Sequence, residues 1–304
     1  MPSRTFLFLG LALGGSALAA PETPERIELS FDWSEAFEVQ VTGTRTVARR
    51  AIGTPPQEAT FSVDHRIRAE PTDRGVALSV TPDLVAQGTG MTADLEDRQR
   101  ASLLAEYGQV GLAANRRAAW QGLHPPEEAA TALAASVAPD NPVFGAHLAG
   151  LAGQASERQW AEMVGYWDRL RFRPGASYGT RGRATVLGLG HIEVFREFTL
   201  VERVACHAAD EDLGCVELRM REYPNQMALE ETLADWGREI AGGQRGGPSP
   251  LLEHDLVVTV VTEPDTLKPH RLTRAQATLV EFTDAQGQPI RGETRDDLTL
   301  DFAY

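Results

Sequence analysis

Apolar and polar residues alternate with a period of two at both ends of this chain. IELSFDW (27–33) places Ile27, Leu29, Phe31 and Trp33 on one face and Glu28, Ser30 and Asp32 on the other. Phe37, Val39, Val41 and Val47 alternate with Glu38, Gln40, Thr42 and Thr46, and Phe61, Val63, His65 and Ile67 with Ser62, Asp64, Arg66 and Arg68. Val76, Leu78 and Val80 complete this first group. Strict alternation means one buried face and one wet face, which predicts antiparallel strands; parallel strands read as continuous apolar runs. EPTDRG (70–75) supplies turn chemistry between two of these strands.

From Met91 the pattern changes. Thr92 can cap a helix whose first turn carries Asp94 and Glu96, and Leu95, Leu103, Leu104 and Tyr107 fall near helical spacing. Alanines are dense from Ala113 to Ala138, PPEEAATALAASV has the prolines and acids of a helix start, and SERQWAEMVGYWDRL (156–170) reads as a further helix. Residues 92–170 are therefore expected to form a helical insert between two groups of strands. After Pro174-Gly175 strands return at 183–189, 192–205, 215–222, 255–262, 271–283 and 290–303, interrupted by a helix from Met227 to Ile240. The expectation is an α+β fold. A large curved antiparallel β-sheet of about ten strands, an incomplete barrel or a sandwich, is covered by helices.

The first twenty residues change the compartment. Arg4, the apolar run Phe6–Leu13 and Ala17-Leu18-Ala19 make a signal peptide over 1–20, too short to span a bilayer. What remains, 21–304, is read as a single domain with no transmembrane segment. It is expected to be exported, to the periplasm or the extracellular space of a bacterium. The formal net charge of −14 argues against nucleic acid as a partner, since phosphate backbones select basic patches.

Export also bears on CHAADEDLGC (206–215), which holds both cysteines. Paired cysteines in an oxidising compartment usually form a disulfide. Strand-like sequence flanks the stretch on both sides, so a Cys206–Cys215 bridge would close the base of a hairpin and contribute roughly 2–3 kcal/mol. A zinc site would need two further ligands at metal spacing, with only His207 near, and a redox pair would prefer Cys-X-X-Cys. A staple is the favoured reading, with metal and redox roles as alternatives; no metal site and no cofactor are expected.

Catalytic motifs are sparse. GASYG (175–179) fits G-x-S-x-G, with Ser177 as nucleophile, but strand-like sequence follows where that chemistry needs a helix. The seven histidines form no paired metal spacing, and no Walker loop or G-x-G-x-x-G opens a helix after a strand. His65 points to the inner face and is read first as a core histidine. A non-enzymatic role is favoured.

The export leader, the strand count and the helical cover, taken in order over most of the mature chain, resemble the incomplete-barrel lipoprotein and lipid carriers of the bacterial periplasm (the LolA/LolB type). This resemblance implies an apolar ligand, lipid or acyl chain held between sheet and helices. Phe37, Val39, Phe61, Val63, His65, Leu218 and Met220 would then line the cavity. The alternatives are a structural or interaction module with a filled core, docking an envelope protein partner, and last a serine hydrolase using Ser177.

Overall fold

The computed structural model describes residues 26–80, 88–90, 111–124, 142–186, 190–207, 212–240, 251–283 and 288–304. The leader, the helices read at 92–110 and 125–138, and the turn read at 284–287 lie outside the described residues.

Twelve strands form one antiparallel sheet. The first meander is β2 (Phe37–Ala51), β3 (Gln57–Thr72), β4 (Gly75–Val80), β6 (Leu112–Asn115) and β7 (Trp120–Leu123), with the short β5 (Gly88–Gly90) pairing against β3. The second is β9 (Ser177–Val186), β10 (Gly190–Val204), β11 (Cys215–Pro224), β12 (Leu251–Thr262), β13 (Pro269–Thr283) and β14 (Pro289–Ala303). They join where β14 pairs antiparallel with β2, from Gly292↔Ala51 to Ala303↔Gln40. Among the described residues β7 and β9 are the two edges and do not pair, so the sheet is not closed there. A separate two-stranded ladder pairs β1 (Ile27–Glu28) with β8 (Arg171–Phe172).

The period-two frame holds along the long strands. On β12 the even positions from Leu252 to Thr262 are buried while the odd ones are not. Cross-strand register then stacks inner side chains in rows, such as Leu200–Leu218–Val260–Leu272–Leu300. Gly43 sits on the inner face of β2 because a Cβ there would lie 1.9 Å from the Thr299 carbonyl oxygen of β14.

The expected helical cover is corrected. The described residues hold two helices, α1 (Pro142–Trp160) and α2 (Gln226–Ile240), plus one π turn (Ala161–Gly165), and they do not cover the sheet. The fold is therefore a mostly β architecture rather than α+β. Residues 112–123, inside the stretch read as helical, form a hairpin. Ala113 and Ala114 pair with Ala77 and Val76 of β4, and the Asn115 carboxamide accepts the Arg117 and Ala119 N–H groups at 2.8 and 3.1 Å. Edge pairing overrides the helix propensity of alanine, which is worth only tenths of a kcal/mol per residue.

A thin layer of side chains closes part of the inner face instead. Residues 29–32 run beside β8 without joining a ladder, bonded through Leu29 N–H to the Leu170 carbonyl and Ser30 N–H to the Pro264 carbonyl, both at 2.9 Å. They bring Phe31 and Trp33 against Trp160, with ring centroids 5.8 and 5.3 Å away. Trp160 and Trp167 are fully buried. Each indole N–H finds a backbone acceptor, the Ala118 carbonyl at 2.6 Å and the Glu162 carbonyl at 2.8 Å. Large aromatics bury 150–250 Å² each, so this layer supplies much of the core.

Candidate functional site

The inner face divides into three bands. The first is apolar and packed: Val39, Val41, Ile67, Leu218, Met220, Val258, Leu272 and Leu300 meet Trp160, Met163, Val164 and Trp167. The second is a charged belt across the middle. The third, beyond it, is mixed: α2 covers Ile192, Val194 and Leu252 through Leu229 and Leu233. Val47, Thr278, Val280, Phe282 and Thr294 share the inner face there and are only half-buried.

The belt is built from inward positions of six strands and from the π turn. Asp296 of β14 accepts from Arg45 Nε at 2.8 Å and from Arg274 Nη1 at 2.9 Å, and is also bonded by Arg45 Nη2. Arg274 Nε faces Glu162 Oε1 of the π turn at 3.5 Å. On the other side Arg196 Nε donates to Glu222 Oε2 at 2.6 Å, and His254 Nε2 lies 3.3 Å from Glu222 Oε1. His254 Nδ1 reaches the Thr278 hydroxyl at 3.0 Å. The Arg196 guanidinium stacks over the Tyr166 ring at 4.9 Å.

Burial and charge set opposite states for the two glutamates. Burial raises the Glu162 carboxyl above its ordinary range, with Arg274 and Arg158 opposing only in part. Burial also pushes Glu222 up, but His254 and Arg196 more than offset it, leaving a lowered pKa. Asp296 is lowered in the same way, burial being outweighed by Arg45 and Arg274. Two carboxyls pushed apart can mark an acid and a base, but ion-pair networks produce the same pattern. Here Glu162 and Glu222 are 3% and 4% exposed. Among the described residues the belt links the strands to one another by hydrogen-bonded ion pairs and approaches the π turn through the Arg274–Glu162 contact.

A small cleft opens between α1 and the first meander, lined by Ile67, Leu78, Val80, Leu112, Ser156 and Met163, among others. Its free volume of about 20 Å³ admits roughly one water. The buried Ser156 hydroxyl beside it has no hydrogen-bond partner.

Four of the ligand-binding residues nominated from the sequence are buried on the packed inner face. Val39, His65, Leu218 and Met220 are at most 2% exposed and touch protein. Phe37 is half-buried, with Trp33 at 4.9 Å, Tyr304 at 5.5 Å and the Lys268 ammonium at 4.8 Å from its ring. Phe61 and Val63 pair through β3 with Arg45 and Gly43, and their side chains lie outside the described residues. Cys206 and Cys215 form the disulfide, just beyond the Val204↔Cys215 pair that ends the β10–β11 ladder. Ser177 lies on edge strand β9 with its hydroxyl 2.9 Å from that of Thr199. The chain continues as strand to Val186, so Ser177 has no helix N-terminus behind it.

The belt itself was not nominated. Its signal was present: Arg45, Glu222, His254, Arg274 and Asp296 all occupy apolar-face positions of the alternating frame.

Comparison with known proteins adds little. No protein-family model matches the chain, and no curated protein matches it. Four solved chains match in structure, one of them from a study described as "Lipid-protein interactions in lipovitellin". That likeness has 9% identity and a TM-score of 0.38, covering 88% of this chain and 25% of the other. The chain thus spans about a quarter of that lipovitellin chain, and the score is too low to carry an argument. The LolA/LolB carriers are not singled out.

Proposed function

We propose that this protein is exported to the bacterial envelope and binds an apolar ligand or acyl chain on the inner face of its sheet, in the half-buried band beyond the charged belt. One observation carries the reading. Val47 and Phe282 face inward yet stay only half-buried, as does Val280 at the edge of the α2 cluster, whereas inward residues on the other side of the belt are sealed by tryptophans. Half-buried apolar side chains of this kind are available to line a ligand groove. The packed residues Val39, Leu218 and Met220 would meet a ligand only if Trp160 and Trp167 moved aside. The disulfide suits an oxidising compartment. Among the described residues no helix is long and apolar enough to cross a membrane.

The packed band favours a second reading, a non-enzymatic envelope module whose core is filled and which acts through its surface. Organic extraction of the purified protein, followed by mass spectrometry of the extract, separates the two. A stoichiometric lipid or fatty acid supports the groove. Its absence from protein purified without detergent supports the filled module.

A further inference from the structure

The disulfide lies among histidines. A ring nitrogen of His270 and the sulfurs of Cys206 and Cys215 all fall within 4.8 Å of one another. His207, next to Cys206, sets its ring edge-on to His270 with centroids 4.7 Å apart. His207 is exposed and Cys206 half-buried, while Cys215 and His270 are buried. Two sulfurs from the β10–β11 hairpin and the His270 imidazole from β13 therefore lie together, with the His207 ring set beside that of His270.

We infer that reduction of Cys206–Cys215 converts this hairpin staple into a binding site for a thiophilic tetrahedral cation of the zinc type, with Cys206, Cys215, His270 and His207 as ligands. Zinc binds sulfur at about 2.3 Å and imidazole nitrogen at about 2.0 Å, which spaces tetrahedral ligands roughly 3.3–3.8 Å apart. On reduction the sulfurs, about 2 Å apart while bonded, have to part to that spacing, and the His270 nitrogen, within 4.8 Å of both, has to close by about 1 Å; the freed side chains rotate to allow both. In the disulfide the sulfurs are not thiolates and ligate poorly.

The second shell is already built. His270 Nε2 lies 3.2 Å from Glu263 Oε1, the carboxylate–imidazole contact that orients a metal-bound histidine. Glu263 is itself held by the Thr266 hydroxyl at 2.6 Å. The hairpin does not rest on the staple alone, since β10 and β11 pair from Val194↔Pro224 to Val204↔Cys215. Exposed flanking residues, His207 and Leu213, leave Cys206 within reach of a reductant.

The chemistry balances with a dithiol reductant. The dithiol gives two electrons and two protons to the S–S bond and becomes a disulfide, leaving two thiols. The cation then displaces both thiol protons and forms two metal–sulfur bonds. Binding is thereby gated by the redox state of the compartment, independently of any ligand on the sheet.

Cobalt(II) serves as the probe, added to the full chain before and after reduction by a phosphine. The expected result is one cobalt per reduced chain. It should show a thiolate-to-cobalt charge-transfer band and tetrahedral d–d bands, displaced by zinc, with no such spectrum from the oxidised chain. His270→Ala should abolish the tetrahedral bands, and Glu263→Gln should weaken affinity by about 10–100-fold. A reduced chain that keeps its far-UV circular dichroism but gives no spectrum overturns the proposal. So does a spectrum unchanged by His270→Ala, and so does unfolding on reduction, since the site needs the hairpin register.

Discussion

Replacing Asp296 by alanine tests whether the charged belt holds the sheet together through charge balance. Asp296 is the shared partner of Arg45 and Arg274, whose side chains are 7% and 4% exposed, and its own is 15% exposed. Without it two guanidinium groups remain buried beside Glu162, whose raised pKa makes it a weak counter-charge. Removing one partner of a buried ion pair costs about 3–5 kcal/mol, mostly because the other charge is stranded. The partial exposure of Asp296 points to the lower end, about 3 kcal/mol. In a chain of this size each kcal/mol moves the melting midpoint by roughly 2–4 °C, so the shift should be roughly 6–12 °C.

Urea unfolding at several pH values provides the assay. The Asp296 carboxyl has a lowered pKa in the folded chain. Its contribution is therefore present above the unfolded value of about 3.9 and is lost as pH falls through the lower folded value. The gap between wild type and Asp296→Ala should be full at neutral pH and narrow on acidification. Asp296→Asn, which keeps the shape, should lose nearly as much. A loss below about 1 kcal/mol, or a gap that does not change with pH, would refute the charge-balance reasoning.

Three further outcomes are expected. Glu162→Gln should stabilise the protein increasingly as pH rises above about 4.3, because a raised carboxyl pKa favours the folded state while protonated and penalises it once ionised; parallel unfolding curves from pH 4 to 8 check this. Trp167→Ala, which empties a fully buried site whose ring lies 5.4 Å from Phe198, should cost about 3–5 kcal/mol in the same assay. Gly43→Ala should push β2 from β14 and cost about 1–3 kcal/mol, with faster amide exchange at Thr299 to Asp301.

The strand assignment was legible because alternation reports which side of a pleat a residue occupies. It gave the antiparallel class, the inner residues Val39, Leu218 and Met220, and the hairpin that the disulfide closes. It even gave the inward facing of Leu29 and Trp33, although only Ile27 and Glu28 pair as a strand. The helical cover was not legible. Alanine density at 113–114 carries a propensity too weak to oppose pairing with β4. The sequence also does not show that the end of one helix, a π turn and a few tryptophans seal part of the inner face. The belt was legible in principle. Arg45, His254 and Asp296 each break an apolar row at an inward position, and an inward charge demands an inward partner. Which partner it finds depends on register between strands up to 251 residues apart, which one strand's pattern cannot supply.

The most direct test of the ligand reading is native mass spectrometry of the protein purified from its source membrane fraction without detergent, alongside Val47→Arg. Val47 faces the half-buried band but pairs with Asp296 of the belt and with Ala59, so the variant is compared with wild type by far-UV circular dichroism and only a folded variant is scored. Wild type is expected to carry one apolar adduct that Val47→Arg lacks. A wild-type chain found only at its bare mass, and unable to take up an added fatty acid, would contradict the account.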